Sequence, residues 1–247
     1  VSIQTEQDLK GLERVGRVVA LTLARMRAAV RPGITTAELD EIGARTMREH
    51  GARSAPQLFY RFPAWTCISV NDEVVHGIPG ERVLAEGDLV TLDVTPELDG
   101  YVADAAVTVA LPGAARQALA LCACAEAAFW KGLGLVRAGA PLALVGGAIE
   151  REVRRHGFRV LRELSGHGTG RRIHEPPSVL NYEDARVRTR LTDGLVIALE
   201  PLIAAGTSRT RDLADGWTVA SADGGLTAHY EHTLVVGKGE PLLLTAA

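Results

Sequence analysis

Five side chains in this sequence could together hold metal ions: Asp93, Asp104, Glu200, Glu231 and one histidine. The two aspartates lie in LVTLDVTPELDGYVADAAVTVAL (89–111), two β-prone apolar runs around a turn signalled by Asp99-Gly100. If the hairpin turns on the loop 97–100, Asp93 sits opposite Asp104; if it turns on Asp99-Gly100 alone, Asp104 faces Thr95. Strand side chains alternate with period two, so both registers put the carboxylates on one face. Directly opposed residues have Cβ atoms about 4.5–5.5 Å apart. Carboxylates that close in an apolar setting repel and are costly to ionise, and a bound cation removes the conflict. Glu200 ends the apolar run VIALE (196–200). Glu231 lies in YEHTLVV, where alternation leaves its face open. Four carboxylates and an imidazole suit two divalent cations, and oxygen-rich ligation favours Mn, Fe, Co or Zn over a thiolate-selected metal. A metal pair about 3.5–4 Å apart is a device for hydrolysis.

The histidines divide by setting. His50 and His156 each precede a helix-ending glycine, where the negative end of the helix dipole accounts for them. His76 in NDEVVHGIPG, His167 in SGHGTG and His174 in IHEPP read as loop residues, where sites usually lie. The glycines on both sides of His167 let the backbone approach whatever its ring touches. His229 and His232 flank Glu231, and strand alternation groups Glu231 with His229 and Thr233. Competing chemistries lack their motifs: no Cys-x-x-Cys, Walker loop, Gly-x-Ser-x-Gly or Gly-x-Gly-x-x-Gly after a strand is present. Gly166-His167-Gly168-Thr169-Gly170 lacks the lysine of a phosphate loop.

These residues need elements to position them. Apolar spacing predicts a helix over 6–30, broken at Arg31-Pro32-Gly33, then a second over 37–49 with Thr36 as candidate N-cap and His50-Gly51 as its end. The arrangement returns as a helix over 114–136, a break at Arg137-Ala138-Gly139, and a helix from Leu142 to His156-Gly157. One offset of 106 lays Arg31 on Arg137, Gly33 on Gly139, Arg48 on Arg154 and His50-Gly51 on His156-Gly157. With one residue of slip, LVTLD (89–93) falls on VIALE (196–200). This reads as a duplicated unit, two halves about a pseudo-twofold, with acids meeting near the axis. Strand material is expected at 58–60, 66–70, 158–161, 195–202, 217–219 and 231–236 besides the hairpin. The expected fold class is α+β, a curved, largely antiparallel sheet covered by helices on one face. Interdomain linkers are absent, so a single domain over 1–247 is expected, its halves dividing near 112.

The bulk composition agrees. A chain of 247 residues, 47% hydrophobic, 23% charged and with a formal charge of −3, is ordinary for a soluble globular protein. It has no basic block for nucleic acid and no apolar run near the roughly 18–20 residues that span a bilayer. The three cysteines, Cys67, Cys122 and Cys124, form no disulfide framework and fit a reduced cytoplasm. The sequence begins at Val1, which fits a processed start or late numbering.

At these residues the sequence resembles the type I methionine aminopeptidases. NDEVVHGIPG, LDVTPELDGYVAD, GHGTGRRIHEPP, ALEP and YEHTLVV come in that family's order and spacing and span nearly the whole chain. The resemblance implies the pita-bread fold and two divalent ions (Co, Mn, Fe, Zn or Ni) on Asp93, Asp104, His167, Glu200 and Glu231. Asp104 and Glu231 would bridge, and Asp93 would be bidentate. It implies hydrolysis of the first peptide bond by water activated on that pair, with Glu200 as the acid/base. His76 would contact the leaving-group nitrogen or the scissile amide, and His174 would polarise the carbonyl and stabilise the oxyanion. Phe59, Phe62, Cys67 and Trp217 would form the methionine pocket. The implied substrate is the N-terminal peptide of nascent proteins with a small second residue. The ribosome is a further candidate partner, and a cytoplasmic monomer is expected. Ile173 stands where an aromatic residue is common, which predicts looser side-chain selectivity. Phe59 and Phe62 replace common tyrosines, and Ala103 and Ala105 flank Asp104 in place of Gly and Thr. Glu200 and Glu231 are too close for the helical insertion of type II relatives, and no zinc-binding extension is expected before the first helix. The alternatives are an X-Pro-specific relative and a pita-bread binding module without catalysis.

Overall fold

The computed structural model describes residues 2–246, so Val1 and Ala247 lie outside it. Helix α1 (Glu6–Ala29) starts at Thr5, whose hydroxyl accepts from Asp8 N while the Asp8 carboxylate accepts from Thr5 N. Helix α2 (Thr36–Glu49) starts in the same way from Thr35 and Glu38. The cap is thus Thr35, not the expected Thr36. The reason is reciprocal: only from Thr35 does a carboxylate, Glu38, stand three residues on to return the bond.

The strand expected at 58–60 is instead part of helix α3 (Ala55–Tyr60). Ser54 caps it by accepting from Gln57 N, Pro56 sits in the first turn where its missing N–H costs nothing, and Arg61 ends it with φ 63°. Helices α4 (Arg116–Leu133) and α5 (Leu142–Arg155) follow after the hairpin.

The offset of 106 reappears in three dimensions. Residues 36–49 of α2 shift onto 142–155 of α5. Gly33 and Gly139 have φ of 88° and 85° at equivalent breaks. The rings of His50 and His156 bond equivalent carbonyls, Nδ1 to Thr46 O at 2.9 Å and to Glu152 O at 3.0 Å. Both histidines therefore serve as helix C-caps, as their position predicts.

Every strand pair is antiparallel. In the first part of the chain Leu89–Val94 is central between Cys67–Val70 and Ala105–Ala110. The hairpin turns on Asp99-Gly100 alone, both with positive φ, as a two-residue hairpin turn requires. Of the two expected registers the structure takes the one in which Asp93 pairs with Ala106 and Asp104 comes level with Thr95. In the second part Val196–Leu199 is central, between Ser165–Gly168 and His232–Val235. His167 therefore lies on a strand rather than in a loop.

Each of these two sheets is backed by its own helix pair. Leu12, Val15, Val19 and Met26 of α1 and Leu39 and Met47 of α2 pack with Val90, Leu92 and Val94. Leu121 and Phe129 of α4 and Val145, Ile149 and Val153 of α5 pack with Ile197, Leu199 and Leu234. Each such side chain contributes about 1.5–3 kcal/mol when fully buried. The two sheets meet where Val107 bridges Tyr230, Glu231 N donates to Ala106 O at 2.9 Å, and Asp104 N donates to Thr233 Oγ1 at 2.8 Å. No helix among the described residues is long and apolar enough to cross a membrane.

Candidate metal centre

The seam between the sheets is where the acids converge. A cavity of about 390 Å³ is lined by Asp93, Asp104, His167, Glu200 and Glu231 together with His76, His174, Phe62, Cys67 and Trp217. Asp93 and Asp104 come from the hairpin, Glu200 from the end of Val196–Leu199, and Glu231 from just before His232–Val235. Glu231 is 2% exposed and shares its inward face with Thr233, which settles the side that alternation left open. His232 points the other way, to Thr245 and the ring of Phe129.

Phe59 is the exception among the expected pocket residues. It is 37% exposed and does not line the cavity. The helical turn at 55–60 is the cause: it sends Phe59 outward and brings Tyr60 to the cavity in its place. Phe62 and Trp217 stack edge-on at 5.2 Å beside Cys67, forming an apolar wall.

The polar atoms of the cluster are poorly satisfied by the protein. Asp93 Oδ1, Glu200 Oε1, Glu231 Oε1 and both ring nitrogens of His229 are buried without hydrogen-bond partners among the described residues. Such groups are costly when left unpaired, so they point to an absent partner. Asp104 is better served, accepting from Thr95 Oγ1 at 2.7 Å. Burial, then repulsion from Asp104 and Glu200, pushes the Asp93 carboxyl well above its usual range. Burial and the neighbouring acids do the same to Glu231, and burial and Asp104 to Glu200. Asp104 is pushed up to about 6, chiefly by burial.

The histidines are held neutral. Burial lowers His76, His167 and His229 each to about 4, and it also lowers His174. His167 Nδ1 lies 3.0 Å from Gly168 O and must donate to it, so Nε2 carries the lone pair. That lone pair faces Glu200 Oε1 at 3.3 Å, acceptor against acceptor unless a cation or proton intervenes. Ligand atoms of Asp104, His167 and Glu231 lie within 4.8 Å of one another, and so do those of Glu200, His229 and Glu231. The donor set therefore fits divalent cations. Cys67 is not a competing thiolate donor, because burial and then Asp93 push its thiol well up.

Two details of the surroundings bear on chemistry. Tyr60 OH lies 2.8 Å from His174 Nδ1. His76 adopts φ 59°, a left-handed conformation that is uncommon for a non-glycine residue and marks a constrained position at the cavity wall. The glycines flanking His167 serve the sheet rather than a ligand. A Cβ on Gly168 would lie 2.2 Å from Pro176 O, and one on Gly166 2.5 Å from Ala198 O. Sequence reasoning grouped His229 with Glu231 but gave it no role; its place in the cavity depends on long-range pairing that one sequence does not reveal.

Comparison with known proteins agrees with this geometry. Residues 10–238 match the model of metallopeptidase family M24. The chain is 42% identical over 245 residues to methionine aminopeptidase 2 of Bacillus subtilis, with 98% of each covered. It is 38% identical over 245 residues to a methionine aminopeptidase of Clostridium perfringens, covering 99% of this chain and 98% of that one. A crystal structure of methionine aminopeptidase from Thermotoga maritima superposes with a TM-score of 0.97 at 31% identity over 100% of both chains.

Proposed function

The chain belongs to metallopeptidase family M24 and has that family's α+β pita-bread fold, and from this premise we propose that it is a methionyl aminopeptidase. It removes the N-terminal methionine from peptides and new proteins whose second residue is small. The observation that carries this reading is the convergence of four carboxylates and His167 on one cavity, with buried oxygens that lack a partner among the described residues, beside an apolar wall of Phe62, Cys67 and Trp217. An apolar wall with aromatic rings suits a methionine thioether.

Asp93, Asp104, His167, Glu200 and Glu231 would hold two divalent ions, with Mn, Fe, Co, Ni and Zn all compatible with carboxylate and imidazole donors. Bound there, the ions supply Lewis-acid activation of water and of a carbonyl. The protein's own groups do the rest. Glu200, as its carboxylate, takes a proton from the attacking water and returns it to the leaving amine. Tyr60 OH donates to His174 Nδ1, which leaves His174 Nε2–H as a donor to the carbonyl oxygen as it gains charge. His76, neutral and fixed at the wall, contacts the scissile amide. Trp217 and Phe62 exclude water from the side-chain end of the cavity.

The test is hydrolysis of Met-Ala-Ser against an X-Pro peptide by protein stripped of metal and reconstituted with Co²⁺ or Mn²⁺. Metal-dependent release of methionine from Met-Ala-Ser is expected. Preferential cleavage of the X-Pro peptide, or of neither with any ion, would overturn the assignment.

A further inference from the structure

His229 is not among the five ligands proposed above, yet it is 2% exposed, lines the same cavity and has a ring nitrogen within 4.8 Å of carboxylate oxygens of Glu200 and Glu231. Its Nε2 is 3.5 Å from Glu200 Oε2 and 3.5 Å from Glu231 Oε2. Neither ring nitrogen has another partner among the described residues. A fully buried imidazole without hydrogen bonds is rare unless something occupies or orders its surroundings.

The backbone of His229 is built to present that ring. His229 N donates to Thr108 Oγ1 at 2.8 Å, and Thr108 Oγ1 donates in turn to His229 O at 3.0 Å. Thr108 Oγ1 is also 2.7 Å from Thr91 Oγ1. One threonine from the sheet of Leu89–Val94 thus clamps both main-chain groups of a residue on the strand Thr227–His229, which pairs with Leu202–Ala204. His229 is also level with Leu202, two residues beyond Glu200 on the adjacent strand, which brings the ring beside that carboxylate.

Glu200 is therefore bracketed by two imidazoles on opposite oxygens. His167 Nε2 faces Oε1 with a lone pair, the arrangement of a metal ligand. His229 Nε2 faces Oε2 of Glu200 and Oε2 of Glu231 together. We propose that His229 is a positioning residue whose Nε2–H is shared between the Glu200 and Glu231 carboxylates, orienting both for metal binding without itself ligating. A donor there turns each carboxylate's other oxygen toward the centre, and those are the oxygens that lack protein partners, Glu200 Oε1 and Glu231 Oε1. Partners of this kind, one bond removed from the ion, change metal affinity by about 10–100-fold when removed.

The inference rests on the metallopeptidase reading, and the test separates the two. Co²⁺ binding to metal-stripped protein is followed by titration calorimetry, and the number of imidazoles per cobalt by X-ray absorption. Failure of the wild-type protein to bind Co²⁺ would defeat the metal reading itself. If it binds, His229→Ala is expected to weaken binding by about 10–100-fold. His229→Gln, which keeps an amide N–H donor but is a poor ligand, is expected to restore affinity to within a few-fold and to leave the imidazole count unchanged. Wild-type affinity in His229→Ala would overturn the proposal. So would a Gln variant as weak as Ala, or loss of an imidazole from the cobalt shell in either variant, which would make His229 a ligand. Should His229→Ala fail to fold, the Gln variant and the wild-type imidazole count still decide: one imidazole per bound pair supports the proposal, and two overturn it.

Discussion

At the scale of single residues, the roles assigned here separate by kinetics. Glu200→Gln should fold normally and lose about 10²–10⁴-fold in kcat, the usual range for a general acid/base; near-normal kcat in protein with full metal content would remove Glu200 from that role. His174→Ala should lower kcat by about 10²–10³-fold, as loss of one oxyanion donor does, and an effect on KM alone would contradict it. Tyr60→Phe removes the hydroxyl 2.8 Å from His174 Nδ1 that, in the proposed mechanism, sets the His174 tautomer. A bond of about 1 kcal/mol predicts about a fivefold loss in kcat with little change in KM. The acids could be picked out in the sequence because aspartate and glutamate are conspicuous in apolar strands. Phe59 could not be placed, because a strand and a single helical turn send it in different directions, and the local signal was a short apolar run that fits both.

At the scale of elements, the hairpin and the helix pairs were legible and the short strands were not. Asp99-Gly100 supplies the positive φ values of a two-residue turn, so one of the two expected registers follows from local chemistry. The helix pairs carry long 3.6-residue periodicity and repeated breaks. The strand at Ser165–Gly168 has no such pattern; it is held by neighbours on both sides and is rich in glycine because those neighbours press close. Close approach also governs α1. A Cβ on Gly16 would lie 2.2 Å from Leu244 O, a main-chain atom that cannot step aside. Gly16→Ala should therefore cost about 1–3 kcal/mol, as overpacking does. Gly239→Ala, with nothing within 4 Å, should be near neutral. Denaturant midpoints of the two variants check this, and equal midpoints would show that the helix can shift freely.

At the scale of the whole molecule, the buried acids couple metal, protons and stability. Their folded pKa values are raised, so their contribution to stability is present below the unfolded value near 4 and is lost as pH rises, through about 6 for Asp104 and likewise through the raised values of Asp93, Glu200 and Glu231. The metal-free protein must bear these charges unpaired as pH climbs, whereas cations neutralise them. The gap in melting temperature between metal-loaded and metal-stripped protein should widen from pH 5 to pH 8. A gap that narrows over that window would contradict the stated protonation. Cation uptake should also expel protons near pH 6, seen as a buffer-dependent heat of binding. His167, lowered to about 4, stays neutral across this range and adds no proton of its own. The duplicated plan was visible as a constant offset in sequence. The seam it creates was not, because pairing between residues such as Val107 and Tyr230 depends on the assembled chain.

That seam sets the gauge of the centre. Asp104 and Thr233 exchange hydrogen bonds in both directions, and Glu231 N is tied to Ala106 O. The carboxylates of Asp104 and Glu231 thus hang from main chains that are fastened to each other, like two jaws cut from one bar. Their separation is measured out by peptide geometry, and the aliphatic filling behind the sheets can drift in sequence without resetting it.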